Sequence, residues 1–131
     1  MVRIWFNHWF STAYNFIQDI RALDEQKQFY FIGTNQRDLC VYKLVCDEFY
    51  IEPELYGSEY VDWCIDFCKQ HNINVFFARK NIVDISAHYH RFDEIGVKVI
   101  TDTNADLIAT LNDKVKTAEL FRKHNLCRVP E

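Results

Sequence analysis

Val2-Arg3-Ile4-Trp5-Phe6 is the stretch on which the reading of the fold turns. It is rich in β-branched and aromatic residues and contains neither glycine nor proline, so it reads as a strand. Asn7-His8-Trp9-Phe10-Ser11 follows as a turn. Ser11 is placed to cap a helix, and Ala13, Phe16, Ile17, Ile20 and Leu23 then recur on one face at helical spacing. A strand followed at once by an amphipathic helix is the opening of a βαβ unit.

The same alternation continues along the chain. Gln28–Ile32 is predicted as a second strand, ended by Gly33-Thr34-Asn35. A short helical stretch is expected near Arg37–Lys43, then a third strand at Glu48–Ile51. After the punctuation of Pro53 and Gly57, a helix opens at Ser58-Glu59, with Tyr60, Val61, Cys64, Ile65 and Cys68 as its inner stripe. Asn74–Ala78 reads as a fourth strand and residues 82–94 as a helix stopped by Gly96. Val97–Thr101 reads as a fifth strand, and 104–111 and 113–124 as two consecutive helices, the second capped by Asp113. Strands separated by helices require crossover connections, hence a parallel sheet covered on both faces. The expected fold class is α/β: a Rossmann-like, three-layer open sheet of about five parallel strands in order 3-2-1-4-5.

Composition narrows the function. The formal net charge of −4 does not suit a nucleic-acid surface. No apolar run approaches the roughly 18 residues that span a bilayer, and the first residues are too short an apolar stretch for a signal peptide. A cytoplasmic protein is expected, with no nucleic acid and no membrane as partner. Its five cysteines (Cys40, Cys46, Cys64, Cys68, Cys127) fit a reduced compartment better than a disulfide framework. The turn after the first strand has no glycine, which argues against a dinucleotide fold or a P-loop. Asn7 and His8 do not supply the acidic pocket of a phospho-receiver. Cys64, Cys68 and His71 share a helix face, but two of them lie in the apolar stripe and no second pair completes a ligand set, so no metal site is expected.

In an open α/β sheet a ligand lies outside the carboxyl ends of the strands where their order reverses. For order 3-2-1-4-5 that crevice lies between the first and fourth strands, lined by Asn7–Ser11 and Arg79–Asn81. Asn7 and Ser11 offer hydrogen bonds, His8 titrates near neutrality, Trp9 and Phe10 present flat apolar faces, and the Arg79 fork suits a carboxylate or phosphate. The plainer alternatives are that Trp9 and Phe10 are core and that Arg79 faces solvent. The expected substrate-binding set is Asn7, His8, Trp9, Ser11 and Arg79, acting on a small anion, with no catalytic residue and no metal ligand named.

Two stretches carry a family resemblance. Asp113-Lys114 opens the last helix and the chain then reaches Val129-Pro130; upstream stands Val45-Cys46-Asp47-Glu48-Phe49-Tyr50-Ile51-Glu52-Pro53. With the strand and helix spacing, these resemble the preATP-grasp (biotin-carboxylase N-terminal-like) domain of ATP-grasp ligases, carbamoyl-phosphate-synthase-like group, over essentially the whole chain. The first loop lacks the glycine-rich sequence of the carboxylase members, and Arg79-Lys80-Asn81 stands where they carry His-Pro-Gly. The resemblance implies that residues 1–131 are the N-terminal substrate-side domain of a longer ATP-dependent carboxylate-amine/thiol ligase working through an acyl phosphate. It implies ATP and Mg2+ as cofactors of the full-length enzyme, with Lys114 as the ATP-binding residue. The implied partners are a small carboxylate substrate and the ATP-grasp catalytic domain, which is absent here; a homodimer is left open. The chain alone is expected to be inactive and to bind no cofactor tightly. The competing expectation is a stand-alone flavodoxin-like small-molecule binding module without catalysis.

Overall fold

Alternation of side chains along β1 (Val2–Asn7) generates the layers of the molecule. Ile4 and Phe6 enter one core while Trp5, between them, enters another. The computed structural model describes residues 1–7 and 12–126. Its sheet has five strands, all parallel, in order β3-β2-β1-β4-β5. The strands are β1, β2 (Phe29–Asn35), β3 (Glu48–Ile51), β4 (Val75–Ala78) and β5 (Lys98–Ile100). The expected topology is therefore the observed one, with β1 in the middle.

On one face α1 (Thr12–Leu23) brings Ala13 and Ile17 onto Ile4, Phe6 and Phe31. On the other, α2 (Gly57–Gln70), α3 (Ile82–Ala87) and α4 (Tyr89–Glu94) cover Trp5, Ile32, Phe76 and Val99. The predicted α2 stripe is buried in full. Trp5 is the centre of this second core. It stacks on Phe76 with ring centroids 3.8 Å apart, meets Trp63 edge-on at 5.8 Å and leans on Phe67 at 4.6 Å. Beyond the sheet α5 (Ala105–Asn112) packs on α3, and α6 (Lys114–His124) packs on α5. The Asp113 side chain caps α6 as expected, accepting from the N–H groups of Val115 and Lys116. No described helix is long and apolar enough to cross a membrane.

Four local expectations are corrected. β2 does not stop at Gly33 but runs through it to Asn35, because Gly33 pairs with both neighbours, Phe6 on β1 and Phe49 on β3. The expected helix at 37–43 is a 3₁₀ helix at Val41–Val45. Leu39, Val41 and Leu44 are exposed, and Tyr42, whose hydroxyl donates to the Thr34 carbonyl, is the one fully buried residue of this helix, so no continuous apolar stripe supports a longer one. The segment 82–94 is two short helices, α3 and α4. They meet at His88, whose N–H is shared between the carbonyls of Asp84 and Ile85. In α1, Leu23 is 84% exposed: the helix ends there, past the edge of its core.

Gly33 also shows why a glycine is needed within a central strand. A Cβ there would lie 2.7 Å from Cys46 Sγ and 2.8 Å from Tyr42 Cε2. Gly33→Ala is expected to destabilise the protein by about 1–3 kcal/mol through overpacking, measured as a lowered urea midpoint with unchanged m-value.

Candidate functional site

The carboxyl ends of the strands carry a buried polar network, unlike the aromatic cores below. It begins at Asn7, the last residue of β1, which has no exposed surface. Its Oδ1 accepts from the backbone N–H groups of Arg79 (2.8 Å) and Lys80 (3.3 Å). Its Nδ2 donates to the Lys80 carbonyl (3.1 Å) and the Tyr60 hydroxyl (2.9 Å). An amide has two donors and two acceptor lone pairs, so Asn7 is fully engaged in clamping the turn between β4 and α3.

Below that clamp lies an ion pair. Lys80 Nζ stands 2.5 Å from Glu52 Oε2, with side-chain exposures of 3% and 0%. Glu52 comes just after β3, where its N–H donates to the Asn35 carbonyl. Its Oε1 accepts from the Thr34 hydroxyl (2.6 Å), which in turn accepts from the Trp5 indole N–H (2.8 Å). The Tyr60 hydroxyl donates to Oε2 at 3.3 Å while accepting from Asn7. Burial pushes the Tyr60 phenol well above its ordinary range, so it stays protonated and keeps this donor role. The Lys80 ammonium lies over the Tyr60 ring, 4.9 Å from its centroid. Four strand ends and α2 thus share one network, and the two charges inside it satisfy each other.

Arg79 and Lys80 are adjacent residues with opposite fates. Lys80 turns inward to Glu52, while Arg79 is exposed, its guanidinium 5.1 Å from the centroid of the Phe77 ring. The Asn7 clamp holds the N–H of both, so Arg79 leaves a fixed backbone at the point where the strand order reverses.

Of the residues expected to bind substrate, the structure brings Asn7 and Arg79 together at this end of the sheet. Asn7 does so through its side chain and Arg79 through its backbone. His8, Trp9 and Ser11 lie outside the described residues. Lys114 is exposed on the first turn of α6, apart from the network. Sequence reasoning missed Lys80, Glu52, Thr34 and Tyr60. The available signal was position: Thr34, Glu52 and Lys80 all fall at or just past the carboxyl ends of neighbouring strands, where side chains from different strands can meet.

At the amino ends of the strands a second polar cluster gathers on Glu48, which accepts from Arg3, Tyr30 and Tyr50. The Tyr50 hydrogen bond holds the Glu48 carboxyl below its ordinary range and pushes the Tyr50 phenol up to about 12. Every carboxylate oxygen there is bonded, which suits a structural tie. Among the cysteines, Cys64 and Cys68 are core residues whose thiols burial pushes up.

No protein-family model matches the sequence, and no curated relative does. Solved structures do. N5-carboxyaminoimidazole ribonucleotide synthetase from Thermotoga maritima matches 100% of this chain and 33% of its own, with TM-score 0.63 and 17% identity. A complete multifunctional pyruvate carboxylase from Rhizobium etli matches 100% of this chain and 13% of its own, with TM-score 0.59 and 16% identity. The biotin carboxylase domain dimer of Hydrogenobacter thermophilus 2-oxoglutarate carboxylase, solved with MgADP, ADP and bicarbonate, matches 98% of this chain. That match covers 28% of its own chain, with TM-score 0.60 and 13% identity. The chain therefore spans a third or less of the length of each of these structures. Across near-complete coverage of this chain, its five-stranded parallel α/β fold is similar to that of the portion matched in each of these carboxylase and synthetase structures.

Proposed function

We propose that this chain is the N-terminal, substrate-side domain of an ATP-dependent ligase that joins a carboxylate to an amine or thiol. The observation that carries the proposal is the clamped β4–α3 turn in a preATP-grasp fold, which sets Arg79 at the sheet's switch point. A guanidinium there suits a carboxylate bidentately. His8, Trp9 and Ser11 complete the substrate side, and Asn7 acts by holding Arg79 in place.

In the reaction proposed, a carboxylate oxygen attacks the terminal phosphorus of ATP and the bond to ADP breaks. The nucleophile then attacks the acyl carbon of the acyl phosphate, and phosphate leaves. Phosphoryl transfer depends on positioning and on charge stabilisation. Among the described residues no group of three His, Cys, Asp or Glu side chains is placed to hold a metal ion. By the resemblance to ATP-grasp ligases, the magnesium ligands and most of the nucleotide cleft are assigned to an ATP-grasp domain elsewhere in a longer cytoplasmic protein. Lys114 is this chain's contribution, a point charge for phosphate.

The test uses the full-length enzyme. Arg79→Ala and His8→Ala are expected to raise KM for the carboxylate at least tenfold and leave KM for ATP unchanged, whereas Lys114→Ala moves the ATP constant alone. If Arg79→Ala changes only the ATP constant, or neither, the crevice is not the substrate site.

A further inference from the structure

At the amino ends of the strands, opposite the clamped turn, the surface is hollowed between the end of α1 and the start of β2. The cleft measures about 440 Å³, within the size range of small-molecule sites. Arg21 and Asp24 line it from the end of α1 and the residue after it, Lys27 and Phe29 from the entry to β2, and Asp47 from just before β3.

Both carboxylates of the cleft are tied into the fold. Asp24 spends its two oxygens on the N–H groups of Gln28 (2.8 Å) and Phe29 (2.9 Å). Asp47 Oδ2 accepts from the Phe31 N–H (2.7 Å) and pairs with Arg21 Nη2 (2.8 Å). Arg21 is held further by its Nε, which donates to the Val45 carbonyl (2.9 Å), and by the Phe31 ring, whose centroid lies 4.7 Å from the guanidinium carbon. Its Nη1, with two N–H groups, has no partner among the described residues, and neither has the ammonium of exposed Lys27. The capacity left over is therefore mainly that of cationic donors, beside the apolar ring of Phe29.

Lys27 is also an unusual residue for its place. Its backbone is left-handed, at φ 51°. The other described positions with positive φ are Asn72, Asn81, Asn125, Gly57 and Gly96, all of the two types that accept this conformation most readily. A lysine pays a steric cost there that asparagine or glycine would reduce. Its side chain returns nothing to the described fold, since it makes no bond within it.

We propose that this cleft binds a small organic acid, a carboxylate or a phosphate monoester, whose oxyanion meets Lys27 and Arg21 Nη1 and whose apolar body lies against Phe29. Both oxyanions present the same acceptor atoms to an ammonium and a guanidinium. The site lies at the opposite end of the sheet from Arg79 and stands whether or not the substrate-side reading does.

The full-length protein is titrated calorimetrically with benzoate and phenyl phosphate, and with acetate and inorganic phosphate as controls that lack the apolar body. The better aromatic probe is expected to bind at least tenfold tighter than its own control, and its identity tells carboxylate from phosphate. Lys27→Asn is expected to weaken that probe at least tenfold. It is also expected to raise the unfolding midpoint of the ligand-free protein, because asparagine accepts the left-handed backbone. Lys27→Arg keeps the cation and is expected to bind the probe within threefold of the parent, with no gain in midpoint. Probe binding unaltered by Lys27→Asn overturns the inference, as does no measurable binding of either aromatic probe by the parent. Loss of binding in Lys27→Arg as well as Lys27→Asn also overturns it, since a retained cation must retain the site.

Discussion

Lys80→Met is expected to destabilise the protein by about 3–5 kcal/mol, because it leaves a buried carboxylate without its counter-charge. Glu52 has 4% of its surface exposed, so water cannot replace the lost ammonium without opening the network. The hydroxyls of Thr34 and Tyr60 remain as donors but carry no charge. The companion measurement is the double variant Lys80→Met/Glu52→Gln. The glutamine removes the stranded charge and keeps one acceptor oxygen, for the Thr34 or the Tyr60 hydroxyl but not both in place, so at least half of the lost stability is expected to return. Urea denaturation of the parent, both single variants and the double variant closes a mutant cycle. A loss below about 1 kcal/mol for Lys80→Met would match an exposed pair instead and contradict the burial described here.

Trp5→Ala is expected to cost a similar amount, about 3–5 kcal/mol, for a different reason. The side chain is fully buried in the middle of the central strand and touches Phe76, Trp63 and Phe67. Its removal leaves a cavity bounded by rigid rings on both the sheet and α2. Trp5→Phe preserves most of the packing and loses the indole donor to Thr34, so it separates cavity from hydrogen bond. Denaturant midpoints give the two costs. Trp5→Phe is expected to lose less than half as much as Trp5→Ala, and equal losses would assign the effect to the hydrogen bond.

The two predictions concern one residue that the sequence makes conspicuous and one that it hides. Trp5 lies in an unbroken apolar run, and the period of two along a strand assigns it to a face without further information. Strand order was legible for the same reason: alternation of strands and helices leaves few topologies once crossovers are required to be right-handed. Lys80 and Glu52 are 28 residues apart, and neither has a local pattern that marks it as buried. Each reads as an ordinary surface charge until the sheet is assembled and places them at the same height. Asn7 was legible as a polar residue at the end of the first strand but not as a clamp, because an amide's partners, here the N–H groups of Arg79 and Lys80, are set by tertiary placement. The break at His88 was hidden because residues 82–94 keep one helical period across two helices.

The sheet's rims bear on how copies of this chain could meet. β3 and β5 are its outermost strands, only four and three residues long, and the chain leaves β3 through Glu52-Pro53. β5 carries an exposed lysine, Lys98, at its start. Short, charged edges interrupted by proline present few free backbone groups to a second sheet, and this is how native proteins avoid runaway strand-to-strand aggregation. Any pairing of two such chains would therefore have to rest on side chains from the helical layers rather than on a continuous sheet.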